Sequence, residues 1–197
     1  MQISRRSFLV SMLAASAAIG GGVLMSGTSK AFAAETPAGE TLVIFYSWSG
    51  NTRDIAGRIH QKVGGDLVEL ELLKPYSSNY NSCLDEAKRD MEQGNRPELK
   101  TRIANLERYS TVFLGYPNWW ASIPMPIATM LESYDFSGKT IIPFCSHGGG
   151  RLGQSVTDIA KLAPRAAIKE ALSVHYGGGN SLNRDIDAWL GKAGIGG

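Results

Sequence analysis

The sequence predicts an α/β protein with a doubly wound, five-stranded parallel sheet in the order 2-1-3-4-5. Three observations lead there. Short apolar runs at 41–46, 111–116 and 140–145 alternate with stretches of helical periodicity, the pattern of a parallel sheet covered by helices on both faces. Turn and stop signals such as Gly64-Gly65 and Gly138-Lys139 separate them, leaving room for right-handed crossovers. The compositionally unusual loops all follow strand ends: 47–52, 117–120 and 146–150.

In chain order, the apolar run at 41–46 is the first strand. A helix follows from Thr52 to Val63, with Ile55, Ile59 and Val63 at intervals of four, stopped by Gly64-Gly65. Residues 66–72 alternate enough for a second strand. A long link at 74–83 precedes a mostly charged helix at about 84–93, whose apolar stripe is only Leu84, Ala87 and Met91. The whole stretch 74–108 is long for one crossover, and is either a surface ornament or a rim to the site. Residues 111–116 form the third strand. Pro124 can begin a helix over 124–132. The fourth strand, 140–145, contains Pro143, which removes a ladder donor, so a distortion or local edge is expected there. A helix at 152–162, a strand at 171–175 and a helix at 182–192, with Ile186, Trp189 and Leu190 on one face, complete the chain.

The loop Ser47-Trp48-Ser49-Gly50-Asn51-Thr52 joins a strand to a helix N-terminus. Such a terminus has outward amides without intrahelical partners and a dipole that favours anions. Ser47, Ser49 and Thr52 add hydroxyls, and Gly50 permits a positive φ. The plainer alternative is a strand-to-helix turn with Thr52 as its cap. Neither GxxxxGK[ST] nor GxGxxG is present here. With no lysine or second glycine in the loop, a small phosphomonoester held by amides and hydroxyls fits better than a di- or triphosphate.

The first 33 residues have the parts of an export signal: Arg5-Arg6, a weakly apolar run from Phe8 to about Met25, and Ala31-Phe32-Ala33 before Ala34. The arginine pair resembles the twin-arginine signal, a route known for moving folded proteins, often with cofactor bound. Cleavage after Ala33 is expected, leaving a tether at 34–40 and one domain at 41–197. A membrane anchor fits poorly, since Gly20-Gly21-Gly22 breaks the run. Arg5, Arg6 and Lys30 are three of the 20 basic residues, and none of the 18 acidic ones lies in this segment. The remainder therefore carries 17 basic against 18 acidic residues, which gives no reason to expect nucleic-acid binding or stable membrane insertion. Cys83 and Cys145 are too few for a disulfide framework, though one bond is conceivable in an oxidising compartment; no metal site is expected.

Strands one and three flank the point where chain order reverses, where ligands lie in such sheets. The three loops should converge there: an anion site, large aromatics, and glycines that let backbone approach a flat ring. At this point the chain resembles the flavodoxin-like, FMN-binding proteins, in Ser47 to Thr52, in Pro117-Asn118-Trp119-Trp120, in Asp135-Phe136-Ser137-Gly138-Lys139 and in Ser146-His147-Gly148-Gly149-Gly150. It looks most like the bacterial branch with a long segment before strand three. The resemblance implies that Ser47, Trp48, Ser49, Gly50, Asn51 and Thr52 wrap the FMN phosphate. It implies that Pro117, Asn118, Trp119 and Trp120 lie beside the isoalloxazine, and that Ser146, His147, Gly148 and Gly149 close over ring and ribityl chain. Of the two tryptophans, one should lie on the flavin and the other pack into protein or cover a substrate; alternatively both are packing residues. His147 either makes an ordinary loop hydrogen bond or serves as a proton donor.

The resemblance implies an exported flavodoxin passing electrons to a redox partner protein or a small quinone-like acceptor. The alternatives are an FMN-dependent NAD(P)H:quinone or related oxidoreductase, and a binding module that kept the fold without the cofactor. Electron-shuttle members tend to be strongly acidic, which this chain is not.

Overall fold

The computed structural model describes residues 39–195; the expected export segment lies outside them. The elements are β1 (Glu40–Phe45), α1 (Asn51–Val63), β2 (Asp66–Glu69), α2 (Tyr80–Gln93), β3 (Tyr109–Pro117), α3 (Met125–Ser133), β4 (Thr140–His147), α4 (Ser155–Leu162), β5 (Ala167–Ile168), β6 (Leu172–His175) and α5 (Leu182–Ala193). All strands pair in parallel, in the order β2-β1-β3-β4-β5, with β6 also on β4. The sheet is five positions wide, as expected, but its last position is shared by two short strands.

Pro143 explains that break. The carbonyls of Ile141 and His147 accept from Lys169 and Tyr176 on the outer side, while that of Ser146 accepts from Asn118 on the β3 side. Alternation along the strand therefore turns position 143 outward, toward the gap between β5, which pairs at 140–141, and β6, which pairs at 144–147. Proline, lacking a donor, sits where no ladder bond is needed.

Alternate strand residues fill two cores. Leu42, Ile44, Val112, Leu114 and Ile141 meet α3 and α4 on one face. Val43, Phe45, Phe113, Ile142 and Phe144 meet α1 and α5 on the other, through Ile55, Ile59, Ile186, Trp189 and Leu190. Gly115 belongs to this second face, where a methyl would come within 2.2 Å of the Phe144 ring. At native packing density nothing larger than glycine fits there. At the opposite sheet edge, buried Lys139 donates to the carbonyl of Tyr109 at 2.6 Å, fixing the starts of β3 and β4.

Several boundaries differ from expectation. β2 ends at Glu69, and Leu72 instead forms an isolated antiparallel bridge with Leu99. α2 begins four residues before the predicted 84, because Asn79 caps it by accepting from the Ser82 amide at 3.1 Å. α4 begins at Ser155 rather than 152, since residues 151–154 are turns. The long stretch after β2 is closed at its base by backbone bonds from Leu73 to Glu98 and from Lys100 to Glu71, each 2.8 Å. What lies between them reaches the strand-end loops, so it is a rim. Cys83 and Cys145 are both buried free thiols.

Candidate functional site

The loop after β1 is organised by Ser47, whose Oγ accepts from the amides of Gly50 at 3.2 Å and Arg53 at 3.3 Å. Gly50 stands just before α1 at φ 95°, in the left-handed region that glycine enters freely. This overturns the capping role for Thr52, which lies inside α1. It is 1% exposed and shares a hydrogen bond with Ser146 Oγ at 2.8 Å. The amides of Asn51 and Thr52 have no partner among the described residues. An anion acceptor is therefore matched by two amides and the hydroxyls around them. No acidic residue occurs in 47–53, 117–121 or 146–151. Arg53 spends its charge on Glu69 through two bonds of 2.7 and 2.6 Å, so the loop offers amides and hydroxyls rather than a free cation.

The loop after β3 is a tight turn. Trp119 and Ser122 exchange backbone bonds of 3.1 and 3.0 Å, and the two residues between them, Trp120 and Ala121, have φ of 52° and 63°. Two positive φ values in a two-residue turn match the type I′ hairpin geometry usually given to Asn-Gly; for residues with side chains this region costs about 1–2 kcal/mol each. The turn is held by the Gln154 amide, which donates to the Ala121 carbonyl at 2.6 Å. It also lies against Gly153, where a methyl would come within 2.3 Å of that same oxygen. Trp119 points inward, its ring edge-on to Tyr46 and Tyr76 at 5.6 and 5.4 Å. Trp120 is 43% exposed, donates from Nε1 to the Leu84 carbonyl at 3.2 Å, and has the Lys88 ammonium 5.3 Å from its ring.

The loop after β4 ties the other two together. Asn118 donates from its amide to the Ser146 carbonyl at 2.8 Å and from Nδ2 to the carbonyls of Arg151 (2.5 Å) and Gly150 (3.4 Å). Pro117 pairs with Ser146 in the sheet. His147 Nδ1 accepts from the Gly149 amide at 3.0 Å, the ordinary loop bond among the two roles expected of it. Partial burial, then His175 and Arg151, hold its pKa below the usual histidine value, keeping that nitrogen an acceptor near neutral pH. Gly148 lies against the Tyr176 ring, at 3.4 Å for an added methyl, and Gly149 has φ 142°.

Hydrogen bonds thus join Thr52, Ser146 and Asn118 into one set across the three loops, with Ser47–Gly50 and His147–Gly149 bonded inside their own loops. The indoles of Trp48 and Trp120 leave it for the rim: Trp48 donates from Nε1 to the Ser77 carbonyl at 3.0 Å and lies 6.0 Å from Tyr80. Ser49 borders a neighbouring cavity with Ser47 and Trp48. A fourth loop was missed. Tyr176 is 56% exposed, and its amide donates to the His147 carbonyl at 2.8 Å. Gly177 approaches Asn51 Oδ1, at 3.5 Å for an added methyl. The signal was available, since Gly177-Gly178-Gly179 follows a strand end as the other loops do.

A doubly wound parallel sheet carries amides and hydroxyls at its β1/β3 switch point, flanked by aromatic and glycine-rich loops, an arrangement that fits an anionic group at the carboxyl edge. The chain belongs to the flavodoxin family, whose family model matches residues 40–192. A protein of Bacteroides eggerthii DSM 20697 classed as a flavoprotein is 30% identical, with a TM-score of 0.69 over 80% of this chain and 99% of that one. One from Bacteroides uniformis ATCC 8492, classed likewise, is 27% identical, with a TM-score of 0.70 over 79% and 99%. A flavoprotein of Lactobacillus acidophilus NCFM in complex with FMN shares the fold, at 22% identity and a TM-score of 0.60 over 77% and 99%. Among curated proteins, none matches the chain. No described helix is long and apolar enough to cross a membrane.

Proposed function

We propose that the chain binds FMN, with the phosphate on Ser47 to Thr52, and acts as an exported electron carrier for a redox partner protein or a small quinone-like acceptor. One observation carries the cofactor assignment. The amides of Asn51 and Thr52 face the loop without partners, while Thr52 and Ser146 join that loop to the one after β4. The L. acidophilus flavoprotein of the same fold is a complex with FMN, which supports the reading. FMN supplies one- and two-electron redox chemistry when bound, and the protein supplies placement. Ser47, Ser49 and the α1 amides hold the phosphate. Asn118 fixes the β3 and β4 loops against each other, and Trp119 and the glycine run at 148–150 shape the ring's surroundings. Export rests on Arg5-Arg6 and the segment to Ala33.

The test is FMN titration of the purified chain, followed by stepwise reduction and by fractionation of producing cells. Tight 1:1 binding, two separable one-electron potentials, and retention inside the cell when Arg5 and Arg6 are both changed to lysine are expected. Failure to bind FMN leaves the cofactor-free module. Direct bleaching by NAD(P)H with reoxidation by quinone replaces the carrier with a reductase.

A further inference from the structure

A cavity of about 960 Å³ lies between the β1 loop and the exit of β2. Its origin is the rim. The chain leaves β2 through the short ladder at 71–73 and 98–101, and the Trp48 indole then anchors it at Ser77. Residues 75–78 are thereby held as a strap over the β1 exit, with space beneath. The volume falls within the range of about 300–1,000 Å³ typical of small-molecule sites.

The lining selects for chemistry. Trp48, Tyr76 and Tyr46 give flat aromatic surface, and Leu70 and Leu72 an apolar base. The charges at its border cancel in pairs: Arg53 with Glu69 at 2.6 Å and Lys100 with Glu71 at 2.7 Å. Neither a free anion nor a free cation is favoured, since each charge already has its partner.

Tyr46 supplies the polar contact. Buried tyrosine hydroxyls usually find a partner, and here most do. Tyr76 donates to Asp90 at 2.7 Å, Tyr116 to Ser155 at 2.9 Å and Tyr109 to Asp66 at 2.5 Å. Tyr46 is 6% exposed, yet its hydroxyl has no hydrogen-bond partner among the described residues. It is not sealed off either, because among the described residues no fully buried side-chain polar atom lacks a partner; it opens on the cavity that Tyr46 lines. Burial, then Cys83 and Glu69, push its pKa well above the ordinary tyrosine value, so the group remains a donor across the physiological range.

We propose that this cavity binds an uncharged, flat aromatic molecule bearing a carbonyl oxygen, to which the Tyr46 hydroxyl donates. The cavity shares Ser47, Trp48 and Ser49 with the loop assigned to the FMN phosphate, but its other walls come from the β2 exit and the strap, and no residue of the β3 or β4 loop lines it. The probe is 2-acetylnaphthalene, titrated calorimetrically into the full chain with and without FMN. Its carbonyl-free counterpart, 2-ethylnaphthalene, is the control. Tyr46→Phe keeps the ring and its edge contact with Trp119, and should weaken the acetyl compound about fivefold to tenfold, as for loss of one hydrogen bond. The ethyl compound should bind parent and variant alike. Ser78→Trp, at the exposed strap, should abolish binding of both compounds. FMN affinity should be the same in parent and Tyr46→Phe, which keeps this test apart from that of the cofactor site. Absence of binding by the parent at millimolar probe overturns the proposal. So does equal affinity of parent and Tyr46→Phe for the acetyl compound.

Discussion

The loops after β1 and β3 reach the same edge of the sheet by opposite means. The first uses the residue its backbone requires: Gly50 takes φ 95° at little cost, and Ser47 Oγ collects two amides. The second forces Trp120 and Ala121 into the left-handed region at 52° and 63° and depends on Gln154, Gly153 and the rim to keep them there. One loop is shaped by its own residues, and the other by what surrounds it. Strain of this kind persists only where neighbours over-determine the conformation, and it gathers at ligand sites. Here it turns the Trp120 side chain outward onto α2 while Trp119 stays inside.

The sharpest way to break the contrast is to remove the anion site while keeping the helix. Ser47→Asp places a carboxylate among the α1 amides. That charge suits a helix N-terminus, so α1 should be stabilised by about 0.3–1 kcal/mol. A phosphate about 4 Å away would meet roughly 4 kcal/mol of repulsion at an effective dielectric of 20. FMN affinity should therefore fall at least about 100-fold while the urea midpoint holds or rises. Unchanged affinity would take the phosphate away from this loop.

A smaller effect, of opposite sign in the two loops, comes from exchanging alanine and glycine. Gly50→Ala meets no close side chain, the nearest atom being Arg53 Nη1 at 3.8 Å. Its cost is thus backbone strain of about 1–2 kcal/mol, partly offset by about 0.4–1 kcal/mol from a less flexible unfolded chain. Ala121→Gly reverses both terms and should stabilise the protein by about 0.5–1 kcal/mol. Urea denaturation of the pair checks this. A loss of stability in Ala121→Gly would contradict the strained turn.

The same contrast explains what could be read from the sequence. The parallel sheet followed from apolar runs and helical periods, because burial on both faces writes itself into composition, and its order is the one that suits five such strands. The Gly50 loop was legible because its residues match its conformation. Pro143 was legible as a fault in a strand, and the break between β5 and β6 is that fault. The Trp120–Ala121 turn was not legible, since neither residue signals a positive φ; the conformation is imposed by Gly153 and Gln154, far along the chain. The alternative of Thr52 as a cap fails because the residue lies inside α1, and its actual partner, Ser146, is too distant in sequence to have been anticipated. The early start of α2 could have been found from Asn79, a cap residue in the expected place.

His147 offers the finest test, since it belongs to the loop that joins the other two. Its Nδ1 accepts from Gly149 only when unprotonated. Burial, His175 and Arg151 all press its pKa downward in the folded protein. The unfolded chain therefore takes up the proton first, at about 6.5. The stability His147 contributes is present above that value and is lost as pH falls through the lower, folded-state pKa. The ring is partly open to solvent, so screening keeps the effect small, about 1 °C in Tm for a domain of this size. Between pH 7.5 and 5.0 the parent should lose about that much more Tm than His147→Gln, which keeps an acceptor but cannot titrate. Identical pH profiles would mean that the loop after β4 is held by Asn118 alone, with the Gly149 bond contributing nothing to its closure.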